Sequence, residues 1–172
     1  DLFTSKEKGG HGVFRPKGDT LEPKATYWAN YVWSRLMADR LLASRLEDAP
    51  SAAVRAYATA SSRGLHILLV NGAETPVAGL ALDLRSSRPL AATGRVHTLS
   101  RRTYFWNPHA HVPVWSLPPE TSAIALGSAL RLDLPASSAL VLELPWRGEQ
   151  AAAALPASRE TRPALRLVLP DS

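Results

Sequence analysis

The chain has 172 residues, 45% of them hydrophobic and 20% charged, a globular composition long enough for one core-bearing domain and an appendage. It contains no cysteine, which excludes disulfides, thiolate metal sites and a cysteine nucleophile. Its net charge of +5 is carried mostly by arginines that are scattered, with only Arg101 and Arg102 adjacent, so the pattern reads as a basic surface and argues against nucleic acid as a partner.

No apolar run reaches the ~18 residues of a membrane span, and no membrane partner is expected. No signal peptide opens the chain. It begins at Asp1 without Met, and the expectation is a processed, truncated or incomplete chain.

In chain order, Asp1 to Leu21 carries Gly9, Gly10, Gly12, Pro16 and Gly18, a density that marks loop. Val13-Phe14 is a short apolar pair that could dock it. From Leu21 the pattern becomes helical. Pro23 suits a first turn, where its missing N–H costs nothing. Trp28, Tyr31, Val32 and Leu36 fall on one face, widened by Tyr27, Trp33, Met37, Leu41 and Leu42. So aromatic a face needs a large partner surface, more than the sheet that follows is expected to supply. Glu47 to Ser51 ends this segment as a linker.

Period-two and buried apolar runs then predict strands at Val54–Ala60, Leu65–Asn71, Val77–Leu84, Arg95–Leu99, Ser122–Leu126, Leu130–Leu134 and Ala139–Leu144. Short strands at this spacing fit an antiparallel β-sandwich. Tyr104 to Pro119 reads as irregular, and Leu165–Leu169 as a last strand or a loose end. The expected fold is therefore mostly β: a sandwich preceded by a loop and one amphipathic helix.

No self-contained catalytic constellation is visible. His109 and His111 would share one side of an extended segment, but zinc needs three or four ligands and no third lies nearby in sequence. No metal or other cofactor is expected. Tyr104, Phe105, Trp106 and Trp115 could stack on sugar or plug one end of the sheet. Glu74, Asp83, Glu120, Asp133 and Glu143 look like turn or solvent-face acids, without the paired spacing of glycoside hydrolysis. Gly94, Gly127 and Gly148 sit in ordinary turn contexts, and there is no G-x-S-x-G, Walker loop or G-x-G-x-x-G. Gly9-Gly10-His11-Gly12 permits close backbone approach, as in a loop lining a ligand cleft.

Three stretches join in a family resemblance. Asp1-Leu2-Phe3, Gly10-His11-Gly12-Val13-Phe14 and Pro23-Lys24-Ala25-Thr26-Tyr27-Trp28 resemble the end of the catalytic (β/α)8 barrel in family 39 glycoside hydrolases. These include β-xylosidases and α-iduronidase-like enzymes, and heparanase-like glycosidases share the arrangement. A following sandwich resembles Leu68-Leu69-Val70-Asn71 and Leu134-Pro135-Ala136-Ser137-Ser138-Ala139-Leu140-Val141-Leu142. The sequence departs from the family where the second proline of a Pro-Lys-Pro entry is Ala25.

The resemblance implies three parts: residues 1–48 as the last barrel loop and helix, 49–146 as an accessory sandwich, and 147–172 as a tail with a further strand at most. It implies a retaining glycosidase whose two catalytic glutamates lie on barrel strands outside this sequence, so no catalytic residue transfers. By position, Asp1, Phe3 and His11 are the implied substrate-cleft residues. The implied partners are the rest of the barrel and carbohydrate. Two rivals remain: a carbohydrate-binding module using Trp106 and Trp115, and a basic domain for an acidic polysaccharide. The last requires Arg55, Arg63, Arg85, Arg88, Arg95, Arg101 and Arg102 on one face.

Overall fold

The computed structural model describes residues 13–44, 46, 51–84, 86–107, 112–127 and 130–149. Among these, the chain opens with a hairpin, β1 (Phe14–Lys17) and β2 (Thr20–Pro23), and a helix, α1 (Ala25–Tyr31), that runs into a π-helical turn at Val32–Leu36. Then come β3 (Arg40–Leu42), β4 (Val54–Ala60), β5 (Gly64–Asn71), β6 (Val77–Leu82) and β7 (Thr93–Leu99). The last strands are β8 (Tyr104–Asn107), β9 (Val112–Ser116), β10 (Glu120–Ala125), β11 (Leu130–Leu134) and β12 (Ser138–Pro145). Every paired ladder described is antiparallel.

Leu65–Val70 is apolar nearly without interruption, and it lies inside a six-stranded sheet in the order β10-β7-β12-β5-β4-β3. Side chains alternate across the sheet. Leu65, Ile67 and Leu69 of β5 therefore share one face with Leu140, Leu142 and Leu144 of β12. That face is roofed by the two-stranded ribbon β11-β6, whose Leu130, Leu134, Leu80, Leu82 and Leu132 complete the main core. Two layers closed over leucines make the sandwich expected from the strand pattern.

The opposite face of the sheet holds a smaller core. Val32 and Leu36 of the π-helical turn pack on Leu68 and Val141, with Tyr31, Met37, Val70 and Ala139 around them. The helix thus covers part of its own sheet. It has no side-chain N-cap bond and no acid in its first turn, so its stability comes from this packing rather than from its own ends.

The β5 and β12 segments named in the family resemblance meet at Asn71 and Ser138, which are paired across the ladder. Asn71 is fully buried, and its amide donates to the Thr75 and Pro135 carbonyls at 2.9 and 3.0 Å. Its oxygen accepts from the Ala73 N–H at 3.0 Å. Ser138 Oγ reaches the same Pro135 carbonyl at 2.6 Å. One buried amide thereby ties the turn after β5 to the turn before β12.

Four local expectations are corrected. Pro23 does not open the helix: it closes β2, opposite Phe14, at an edge position that needs no N–H. The helix does not run to Leu42. Met37 turns extended, the Ala38 N–H is captured by Thr59 Oγ1 at 2.9 Å, and Arg40–Leu42 adds an edge strand to β4. Tyr104–Ser116 is not irregular throughout, since β8 and β9 pair across a register shift between Phe105 and Trp106. Gly94 is not in a turn but buried within β7.

Candidate docking face

Three of the six large apolar side chains exposed among the described residues lie on the face that carries the helix, beside a partly built core. Leu41 is opposite Thr59 in the β3–β4 register, so it shares a face with Thr59 and Tyr57. Tyr57 is opposite Leu68, the residue on which the helix packs. Trp33 meets the Tyr57 ring edge-on, with centroids 6.0 Å apart and planes at 90°. Trp33 is 51% exposed, Tyr57 40% and Leu41 66%. Three large apolar side chains thus form one exposed strip along the helix and the edge of the sheet, of the kind that marks an interaction surface. The other helix aromatics pack on one another: Tyr27 meets Phe14 at a tilt, Trp28 edge-on and Tyr31 stacked, with centroids at 5.0, 4.8 and 6.5 Å.

The same face carries a polar row that sequence reading missed. Glu143 sits between His66 on β5 and Arg95 on β7, directly opposite both. His66 Nδ1 lies 2.7 Å from the Leu36 carbonyl; a carbonyl only accepts, so this nitrogen carries the proton. His97 Nδ1 is 2.9 Å from Thr121 Oγ1, and its Nε2 is 3.1 Å from Glu143 Oε2. Nε2 is buried and meets no other hydrogen-bond partner among the described residues. Arg95 Nη1 stands 3.9 Å from the same oxygen. His97 holds Glu143 below the usual carboxylate range, chiefly through its hydrogen bond. Burial opposes this, and the charges of His97, His66 and Arg95 add to it.

The string Thr121–His97–Glu143 has the order of a hydroxyl, imidazole and carboxylate relay. It lies on a flat sheet face, however, and neither of the two clefts flanking the Ser86–Arg88 loop, of about 690 and 390 Å³, includes any of the three. Among the described residues it acts as a cross-strand clamp joining β10, β7 and β12. The signal for it was present: His66 and Glu143 each interrupt an otherwise apolar strand. Only the register reveals that they face each other.

The pH dependence follows from the direction of the shift. A carboxylate whose folded pKa is lowered stabilises the fold above its unfolded pKa and loses that stabilisation as pH falls toward the folded value. Thermal stability is expected to fall below about pH 4.3, the ordinary glutamate range. Glu143→Gln is expected to flatten that acid limb; melting curves from pH 3 to 7 on both proteins check it, and parallel acid limbs refute it.

Asp1, Phe3 and His11 lie outside the described residues, as do His109, His111, Arg85 and the segment from residue 150 onward. Trp106 and Trp115 belong to β8 and β9, and the ring geometry that sugar stacking requires lies outside the described residues. Among the described residues no three His, Asp or Glu side chains gather as metal ligands, and no helix is long and apolar enough to cross a membrane. The acids separate: Glu74 pairs with Arg101 and Glu120 with Arg102, and Asp133 accepts the Gly79 N–H at 2.8 Å. Glu143 is the exception, half-buried rather than solvent-facing. The arginines do not gather on one face. Arg95 is in the polar row, Arg101 and Arg102 are in the turn after β7, and Arg88 lies at the other end over Trp146. Each of these four has a carboxylate beside it.

No protein-family model and no curated protein matches the chain. Solved structures do. An arabinose-bound GH51 α-L-arabinofuranosidase, MgGH51, matches with a TM-score of 0.63 and 21% identity, over 80% of this chain and 22% of that one. The α-L-arabinofuranosidase of Thermotoga maritima matches with a TM-score of 0.60 and 14% identity, over 78% and 31%. A glycoside hydrolase family 30 subfamily 8 xylanase from Clostridium acetobutylicum matches with a TM-score of 0.54 and 13% identity, over 78% and 30%. The likeness is one of fold, to the β-sandwich region of family 51 and family 30 glycosidases. The chain spans less than a third of the length of each of these proteins.

Proposed function

We propose that this chain is a non-catalytic portion of a retaining glycoside hydrolase, bracing a catalytic barrel through the helix-bearing face. The observation that carries this reading is the exposed strip of Trp33, Tyr57 and Leu41, continuous with the small core under Val32 and Leu36. It is apolar and adjoins the helix. The fold likeness to a minor part of much longer glycosidases supports the same reading.

In this proposal residues 1–48 belong to the barrel end, 49–146 to the sandwich and 147–172 to a tail. Asp1, Phe3 and His11 help line the substrate cleft. The resemblance to family 39 rests on the motifs quoted between Asp1 and Leu142, whereas the solved structures named above belong to families 51 and 30. The barrel partner supplies both catalytic glutamates, and carbohydrate reaches this chain at the cleft edge.

The test uses the 172-residue chain and the barrel encoded upstream of it, supplied in trans. The chain alone is expected to leave aryl glycosides unhydrolysed. It should bind the barrel, and Trp33→Ser combined with Leu41→Ser should weaken that binding at least tenfold while circular dichroism stays unchanged. Burying such side chains is worth about 1.5–3 kcal/mol each, which makes the tenfold floor modest. Turnover by the chain alone, or binding indifferent to the double substitution, overturns the proposal.

A further inference from the structure

The larger cleft, of about 690 Å³, lies within the ~300–1,000 Å³ of small-molecule sites. It opens at the end of the sandwich where Gly64 faces Pro145, between the start of β3 and the Ser86–Arg88 loop. Its lining is mixed in a specific way: Asp39, Arg40 and Arg88, four serines, and Trp146.

One wall is held in place before any ligand arrives. Trp146 is buried, and its Nε1–H donates to the Ser61 carbonyl at 3.1 Å. The Arg88 guanidinium lies over the Trp146 ring, 5.3 Å from its centre, and Nη1 donates to the Ser62 carbonyl at 3.0 Å. Its Nη2 stands 3.5 Å from Glu149, and its backbone N–H donates to Ser86 Oγ at 3.2 Å. A guanidinium has five N–H donors, so these contacts fix its position without exhausting it.

The charges decide the class of ligand. Among the described residues, Arg40 and Arg88 are offset by Asp39 and by Glu149 against Arg88, which leaves their charges balanced. A neutral site offers little net attraction to an anion. A carboxylate acceptor, guanidinium donors and serine hydroxyls together complement adjacent hydroxyl groups, each of which both donates and accepts. We propose that this cleft binds a neutral saccharide, with Asp39 accepting from one hydroxyl, Arg88 donating to its neighbour, and the serines completing the shell.

The cleft and the docking strip lie on opposite sides of the same edge. Leu42, Ala60 and Leu65 line the cleft and point to the core face, whereas Leu41 and Tyr57 point to the helix face. Both surfaces are open at once, so saccharide binding does not depend on the bracing role.

The experiment is an NMR titration of the ¹⁵N-labelled 172-residue chain with xylotetraose, arabinotetraose and cellotetraose, and separately with trigalacturonate. The expected result is a saturable shift of the Trp146 indole N–H and the Ser61 and Ser62 amides by at least one neutral tetraose, with a Kd on the order of 1 mM, as for a small exposed polar site. Asp39→Ala and Arg40→Ala, both at exposed positions, should each weaken that binding at least fivefold with the amide spectrum otherwise unchanged. No saturable shift from any neutral probe overturns the proposal. So does binding that ignores both substitutions, or tighter binding of trigalacturonate than of every neutral tetraose.

Discussion

Leu69→Ala is expected to lower the unfolding free energy by about 3–4 kcal/mol, within the ~2–5 kcal/mol of buried leucine truncations. Leu69 is fully buried in β5, the strand flanked by β4 and β12, and it faces the leucines of the β11-β6 roof. Few neighbours can move in to fill the gap. The strands on both sides are hydrogen-bonded along their length, and the roof is held by Leu130 and Leu134, themselves buried. A domain of this size has about 5–15 kcal/mol in total, so the variant should sit near the limit of folding. Urea denaturation followed by circular dichroism measures it. Leu117→Ala, at an exposed position, is the control and should stay within about 0.5 kcal/mol. Equal losses at the two positions would mean that the main core is not where the packing places it.

Gly94→Ala is the second large effect, and its origin is different. A Cβ on Gly94 would stand 2.6 Å from the Glu143 carbonyl oxygen and 3.2 Å from Leu144 Cδ2. Gly64, on the other side of the same strand end, would place its Cβ 2.7 Å from the Leu144 carbonyl. In both cases the obstacle is backbone, which has no rotamer to change. β12 is clamped between β5 and β7, so relieving either clash means parting the central ladders. Each substitution is expected to cost about 1–3 kcal/mol or more, as overpacking does. Gly72→Ala meets nothing closer than 3.5 Å and should be neutral or slightly stabilising, because alanine restricts the unfolded chain. Melting temperatures of the three variants decide the matter. If Gly94→Ala behaves like Gly72→Ala, the close approach of β7 to β12 is wrong.

These two glycines illustrate where sequence reading stops. Glycine is the usual turn signal, and by local pattern both read as turn residues. Gly64 instead opens β5 and Gly94 lies within β7, both pressed against β12. A strand neighbour some 50–80 positions away leaves no mark on the local pattern around a glycine. The polar row has the same character. His66 and Glu143 are legible as interruptions of apolar runs, but their pairing, and the placement of His97 beside Glu143, exist only once β12 lies between β5 and β7.

The N-terminal third shows the converse. Apolar spacing from Trp28 to Leu42 predicted a single long helix, yet Leu41 and Leu42 are in a strand. Leucine serves in either element, and the competing partner, the open edge of β4 with Thr59 ready to accept the Ala38 N–H, was invisible locally. The cleft at Trp146 was not anticipated at all. Its members come from positions 39 to 146, with no shared spacing.

The class of fold is legible from local pattern alone. Seven strands were placed within a few residues, because period-two alternation and buried runs of leucine and valine are local consequences of a two-layer sheet. The aromatic helical face is legible too, although Tyr27, Trp28 and Tyr31 pack on one another and only Trp33 is left exposed. Only the tertiary structure decided which strands are neighbours, and therefore which side chains share a face. That assignment splits the surface into an apolar strip of Trp33, Tyr57 and Leu41, a clamp of His66, Glu143, Arg95 and His97, and a neutral polar cleft on the far side of β3. The reason is geometric: alternation tells each strand which residues go in and which go out, but register alone sets what stands beside them.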